Sequence, residues 1–140
     1  MEYPRRRQLV IAAFGVATVA TLGSLYYSEG MGLFPCELCW YQRVAMYPLV
    51  VVLGYAAVTD MADVYWLALP FSSVGLVTSS YHSYLQANPA SQCRFGGCAT
   101  VQFELGGFLT IPNQAAIAFA VITALLLVVW YGTRKTEATA

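Results

Sequence analysis

Four apolar stretches, each close to the ~20 residues that a helix needs to cross a bilayer, occupy most of this 140-residue chain. They run from Leu9 to Tyr27, Trp40 to Val58, Val64 to Leu85 and Pro112 to Tyr131. In hydrocarbon every backbone N–H and C=O must find its partner inside the protein, so spans of this kind fold as helices. The expected fold is an all-α membrane protein, a single domain over residues 1–140 built as a four-transmembrane-helix antiparallel bundle. Composition agrees, with 59% hydrophobic and 10% charged residues against about 25% charged in soluble domains. The formal net charge is zero, so bulk electrostatics give no case for nucleic acid or an acidic substrate as a partner.

Charge placement gives an orientation. Arg5, Arg6 and Arg7 precede the first span, while Arg134 and Lys135 follow the fourth. By the positive-inside rule both termini are expected in the cytoplasm, with the two cysteine-bearing loops facing outward. Those outer segments hold the remaining two basic residues, Arg43 and Arg94. The connection from Thr59 to Asp63 is short and forces the second and third spans to run antiparallel. The first apolar run exceeds the ~7 to 15 residues of a cleaved signal, so it is expected to stay as an anchor.

Within the spans, Ala12, Gly15, Ala20 and Gly23 allow the first helix close approach to a neighbour. Pro48 is tolerated inside a membrane helix where neighbours satisfy the freed carbonyl, with a kink expected there. Ser72, Ser73, Thr78, Ser79 and Ser80 are expected to face other helices. The segment from Gln86 to Ile111 reads as a loop. Pro112 then suits a first helical turn, with Thr110 or Ile111 near the cap.

Chemistry concentrates in Pro35-Cys36-Glu37-Leu38-Cys39-Trp40-Tyr41-Gln42-Arg43. Two cysteines three apart in a first helical turn sit close enough to bridge, and Arg43 falls on the face of Cys39. Unpaired first-turn amides and the guanidinium both favour a thiolate there. A second pair, Cys93 and Cys98, lies in the other outer loop, so all four cysteines sit on the side where disulfides persist. As staples the local pairs are weak: closing such short loops is worth about 2 kcal/mol each, against about 4 for a bridge between the loops. A C-x₂-C plus C-x₄-C set also suits a Cys₄ zinc site, but an oxidising compartment disfavours it and no metal is expected. Two exchangeable pairs in adjacent loops suit a relay, a disulfide passing from one to the other by thiolate attack.

A dithiol at that surface has no nucleotide motif nearby, whereas membrane quinones reach that depth, so a quinone is the expected electron acceptor. It needs a flat apolar slot, a cation near an oxygen that becomes negative, and a thiolate; Cys39 and Arg43 supply the last two. His82 lies at about the depth of Arg43 and is expected on the other oxygen, although a single histidine near a helix end is by default interfacial. Arg43 by default snorkels to headgroups. Trp40, Tyr41, Tyr81 and Tyr84 are expected as an aromatic belt, some of them also walling the slot. Glu37 is assigned no role.

The Pro35 to Arg43 motif with Tyr47-Pro48, the Tyr81-His82-Ser83-Tyr84-Leu85-Gln86 segment, and Cys98-Ala99 leading through Gly106-Gly107 to Pro112 resemble the disulfide bond formation protein B (DsbB) family, including its compact Gram-positive variants. The resemblance covers nearly the whole chain in topology. It implies an enzyme of a prokaryotic cell membrane, a protein-disulfide-generating thiol:quinone oxidoreductase using ubiquinone or menaquinone. A soluble thioredoxin-fold, DsbA-like oxidase would attack Cys93, Cys98 would engage Cys36, and Cys39 would face the quinone with Arg43 and His82 on its oxygens. The four residues between Cys93 and Cys98 are far fewer than in the best-known members. The vitamin K epoxide reductase family fits less well, because there the quinone-facing C-x-x-C belongs to a late span. A non-catalytic tetraspan scaffold with structural disulfides is the other alternative.

Overall fold

The computed structural model describes residues 2–61, 63–88, 98 and 100–140, with Tyr3 described by its backbone alone. Helix α1 spans Tyr3–Leu25 and runs into a π-helical turn, Tyr26–Gly30; α2 spans Glu37–Thr59, α3 Val64–Ala87 and α4 Ile111–Thr139. Each helix packs on two others, α1 on α2 and α4, and α3 on α2 and α4. Contacts at the ends show that neighbours run antiparallel. Arg7 Nε at the start of α1 pairs with Asp60 Oδ1 just past α2 at 3.2 Å. At the other end, the Tyr27 hydroxyl donates to Gln114 Oε1 near the start of α4 at 2.8 Å.

Three of the helices, α1 continued through its π turn, α2 and α4, are long and apolar enough to cross a membrane. Helix α3 has the length, at 24 residues, but its hydroxyl-rich middle dilutes the apolar run. Of its serines and threonines only Ser72 and Ser79 are buried, while Ser73 and Ser80 are exposed. The expectation that this whole set faces other helices is therefore corrected, since residues seven apart share a face and their immediate neighbours turn away. The buried pair also bonds inside its own helix, Ser72 to Leu69 O at 3.1 Å and Ser79 to Gly75 O at 2.8 Å. Such back-bonding satisfies a hydroxyl without a partner helix.

The core is a column of Leu49, Leu53, Phe119, Ile122, Leu126 and Val129, closed by Ala13, Ala17 and Ala68. Outside it the surface is apolar, with Val19, Val51, Val58 and Val77 each at least 70% exposed, a disposition that suits lipid rather than water. Helix α2 continues unbroken through Pro48. Helix α4 begins with Thr110 as N-cap and proline in its first turn, as expected, but the Thr110 hydroxyl makes no cap bond.

The reading of 86–111 as plain loop is corrected over its last part. Strands β1 (Glu104–Leu105) and β2 (Leu109–Thr110) pair antiparallel, Glu104 opposite Thr110 and Leu105 opposite Leu109. Gly106 and Gly107 have φ of 68° and 84°, which turns the chain at no steric cost. Asn113 Nδ2 donates to Phe108 O at 2.9 Å and Gln114 Nε2 to Leu109 O at 3.1 Å, pinning the hairpin over the start of α4.

Helices α3 and α4 pack tightly at Gly75, where a Cβ would run into the fully buried Phe119 ring. Overpacking of this kind costs about 1 to 3 kcal/mol. Gly75→Ala is therefore expected to lower the thermal unfolding midpoint in detergent. Gly15→Ala, whose added carbon meets nothing within 4 Å, is the control that leaves the midpoint in place.

Candidate functional site

The site is built on the first two turns of α2. Cys36 is the N-cap, in an extended conformation at φ −75° and ψ 175°, and its carbonyl accepts the Trp40 N–H at 3.2 Å. Helical geometry then brings Cys39 back beside it. The two are free thiols with sulfurs 3.4 Å apart, Cys36 donating. Cys98, from the far loop, is buried at 1% exposure against Leu38 and Leu85, with Cys36 packed on the same cluster. Cys36 Sγ, Cys98 Sγ and a His82 ring nitrogen all lie within 4.8 Å of one another. Cys36 thus stands between Cys39 and Cys98. Cys93 and Arg94 lie outside the described residues.

Two amide bonds hold the loops together here: Gln102 Nε2 to Phe34 O at 3.0 Å, and Gln86 Nε2 to Thr100 O at 3.4 Å. His82, 2% exposed, has Nε2 at 2.9 Å from Cys98 O and 3.8 Å from Cys36 Sγ. Its Nδ1 is 3.0 Å from Gln42 Nε2. Two thiols and an imidazole could in principle hold a metal, but an Nε2 that donates its proton to a carbonyl has no lone pair to offer.

On the other flank of Cys39 a cavity of about 850 Å³ opens between α1, α2 and α4. Its walls are mainly apolar, with Ala12, Gly15, Ala20, Ala115 and Ala118 leaving the space that larger side chains would fill. Cys39 and Arg43 both line it; His82 does not, lining instead a small cleft with Cys36, Cys39 and Cys98. Arg43 is fixed by α1, Nε donating to Ser24 Oγ at 3.0 Å and Nη2 to Ser24 O at 2.9 Å. Its guanidinium also stacks over the Trp40 ring at 5.2 Å. Trp40, Tyr41, Tyr81 and Tyr84 point outward and are 40% or more exposed, so the aromatic walls of the cavity are Tyr27, Phe34, Tyr47 and Phe119 instead. Glu37 accepts the Tyr41 hydroxyl at 3.1 Å on that outer surface.

A sequence model described as Disulfide bond formation protein DsbB matches residues 6–129. The chain belongs to the DsbB family. Its relatives include "Probable disulfide formation protein C 2" of Bacillus cereus, 42% identical with 91% of this chain and 94% of the relative covered. "Disulfide bond formation protein C" of Bacillus subtilis is also 42% identical, over 79% of this chain and 84% of the relative. A "Probable disulfide formation protein" of Chlamydia muridarum is 40% identical over 82% and 87%. No solved structure matches the chain. Membership makes the protein a membrane thiol oxidoreductase of disulfide bond formation.

Sequence reasoning passed over Gln42 and Ser24. A glutamine at 7% exposure within an apolar span was a usable signal, because uncharged amides are costly there without partners. Ser24 had none, since its role depends on how α1 and α2 are rotated against each other.

Two thiols of this DsbB-family site, Cys36 and Cys98, are held protonated. The Cys36 thiol is pushed up to about 11, first by the hydrogen bond it gives Cys39 and then by burial. Burial, with Cys36 beside it, likewise pushes Cys98 up to about 11. Below such a value the thiolate fraction grows about tenfold per pH unit. In the reduced protein, alkylation of Cys36 and Cys98 by iodoacetamide, read by peptide mapping, is therefore expected to accelerate about tenfold per unit between pH 8 and 10. A flat profile would contradict the placement.

Proposed function

We propose that this DsbB-family protein reoxidises a soluble thioredoxin-fold, DsbA-like oxidase and passes the electrons to a membrane quinone in the α1–α2–α4 cavity. The observation that carries the reading is the position of Cys39, 3.4 Å from Cys36 on one side and lining a large apolar cavity with Arg43 on the other. Cavities for small organic ligands are typically about 300 to 1,000 Å³, apolar, with a few placed polar groups. This one has that size and character. It also offers an orphan: Tyr47 lines it, and the Tyr47 hydroxyl is buried without a hydrogen-bond partner among the described residues, as suits a donor awaiting a carbonyl oxygen. The residues present therefore fit a quinone, ubiquinone or menaquinone.

When bound, the quinone supplies a two-electron, two-proton sink for the Cys36–Cys39 dithiol, which becomes a disulfide. The protein supplies the surroundings. Ser24 holds the Arg43 charge in place before any reaction, so a developing negative charge is met without reorganisation. Apolar walls exclude water. Outward of Cys36, Cys98 carries the exchange to Cys93, which on this reading meets the soluble partner. All four helices cross the prokaryotic cell membrane, with both termini cytoplasmic and the cysteine loops outside; the Arg5 to Arg7 cluster and the Arg134-Lys135 pair support this orientation.

The test is anaerobic oxidation of a reduced thioredoxin-fold oxidase by the purified protein in detergent, with quinol formation followed at matched stoichiometry. Quinone-dependent turnover is expected, and Cys39→Ser is expected to abolish it while the protein still unfolds cooperatively; wild-type turnover in that variant would overturn the assignment. Losing a charge-assisted hydrogen bond costs about 1.5 to 3 kcal/mol. Arg43→Ala should therefore raise the apparent KM for quinone by about ten- to a hundredfold, and Tyr47→Phe by a smaller factor. An unchanged KM in Arg43→Ala would make Arg43 a headgroup anchor.

A further inference from the structure

Both ring nitrogens of His82, the only histidine in the chain, are committed, and the two commitments agree. Nε2 lies 2.9 Å from Cys98 O, a carbonyl that can only accept, so the proton sits on Nε2. Neutral imidazole then presents Nδ1 as a bare acceptor, and the Gln42 amide nitrogen lies 3.0 Å from it as donor. One tautomer satisfies the whole chain of bonds. Histidine and glutamine are 2% and 7% exposed, so water is no substitute partner for either. A buried polar network is costly unless every member is satisfied, and this one ends on the backbone of a cysteine.

We propose that Gln42 and His82 are positioning residues for disulfide exchange between Cys98 and Cys36. Gln42 sets the imidazole tautomer, and the Nε2–H tethers the Cys98 backbone beside Cys36 while facing the Cys36 sulfur at 3.8 Å. The inference rests on the reading above only in taking Cys98 as the exchange partner of Cys36. In the step concerned, the Cys98 thiolate attacks Cys36 Sγ within a Cys36–Cys39 bridge. The Cys98–Cys36 bond forms, the Cys36–Cys39 bond breaks, and the electron pair leaves on Cys39. Cys98 is oxidised from thiol to disulfide, Cys39 is reduced from disulfide to thiolate, and the proton given up by Cys98 passes to water. The tether raises the effective concentration of one sulfur at the other, a gain that comes from orientation and not from any new bond. His82 lies with Cys36 and Cys98 in the small cleft outside the cavity that Arg43 lines, whereas Gln42 also borders that cavity.

The wild-type protein supplies the first test. With one histidine, ¹⁵N-histidine labelling gives a single pair of ring resonances in detergent, and the expected pattern is a protonated Nε2 with a bare Nδ1. A proton on Nδ1 would overturn the proposal. Gln42→Leu, apolar and similar in length, is expected to release the ring to a mixture of both tautomers. In a Cys93→Ala background, one equivalent of diamide followed by acid quench and peptide mapping reads the formation of the Cys36–Cys98 bridge. Gln42→Leu should slow it at least tenfold. Bridge formation at the unsubstituted rate in that variant would overturn the proposal, whatever its KM for quinone. Because diamide replaces quinone in the bridge measurement, failure of the quinone reading would leave this result standing, and the reverse also holds.

Discussion

An α-helix turns about 100° per residue, and the site depends on that figure. Counting from Cys39, Gln42 is three residues on and lies about 60° to one side, while Arg43 is four on and lies about 40° to the other. Consecutive residues thereby reach different partners, although both border the large cavity. Gln42 meets His82 and the sulfur cluster, Arg43 meets Ser24, and Cys39 sits between the two directions with access to both. A single helix turn thus serves both the sulfur cluster and the cavity, with the Cys39 sulfur common to the two. No loop could hold these angles as firmly, since an α-helix in lipid has no alternative partners for its backbone.

The bundle supports this division from both ends. Small residues on α1 and α4 keep those helices close where the core is full and leave space where the cavity opens. At the cysteine-bearing end the hairpin, the Tyr27–Gln114 bond and the packing of Tyr27 on Phe103 at 5.3 Å form a layer of polar and aromatic contacts. At the opposite end Arg7 pairs with Asp60, whose left-handed φ of 56° ends α2. Chemistry and anchoring thus occupy opposite ends of the same helices.

Much of this was legible in the sequence. Apolar runs located the helices because burial in lipid and helix formation coincide. The helices run past those stretches: α1 begins at Tyr3 and α4 continues to Thr139, because hydropathy marks where lipid stops while the hydrogen-bond ladder continues through charged residues. The Cys36, Cys39 and Arg43 spacing could be read because all three share one helix. The depth of His82 was legible too, but its azimuth was not, since that depends on how α3 is rotated against α2. For the same reason Gln42 was visible only as a letter in a motif. The hairpin escaped notice because two residues per strand carry no alternation to read.

The rim of the cavity includes Val19 and Ile117, 71% and 53% exposed on the outer face of the bundle. The opening is therefore sideways, into the bilayer. On the reading proposed above, the electron acceptor arrives by lateral diffusion within a leaflet, and its working concentration is its mole fraction among lipids. The two halves of the reaction would then draw on reservoirs that never mix, one aqueous and one two-dimensional, joined only by the sulfur of Cys39.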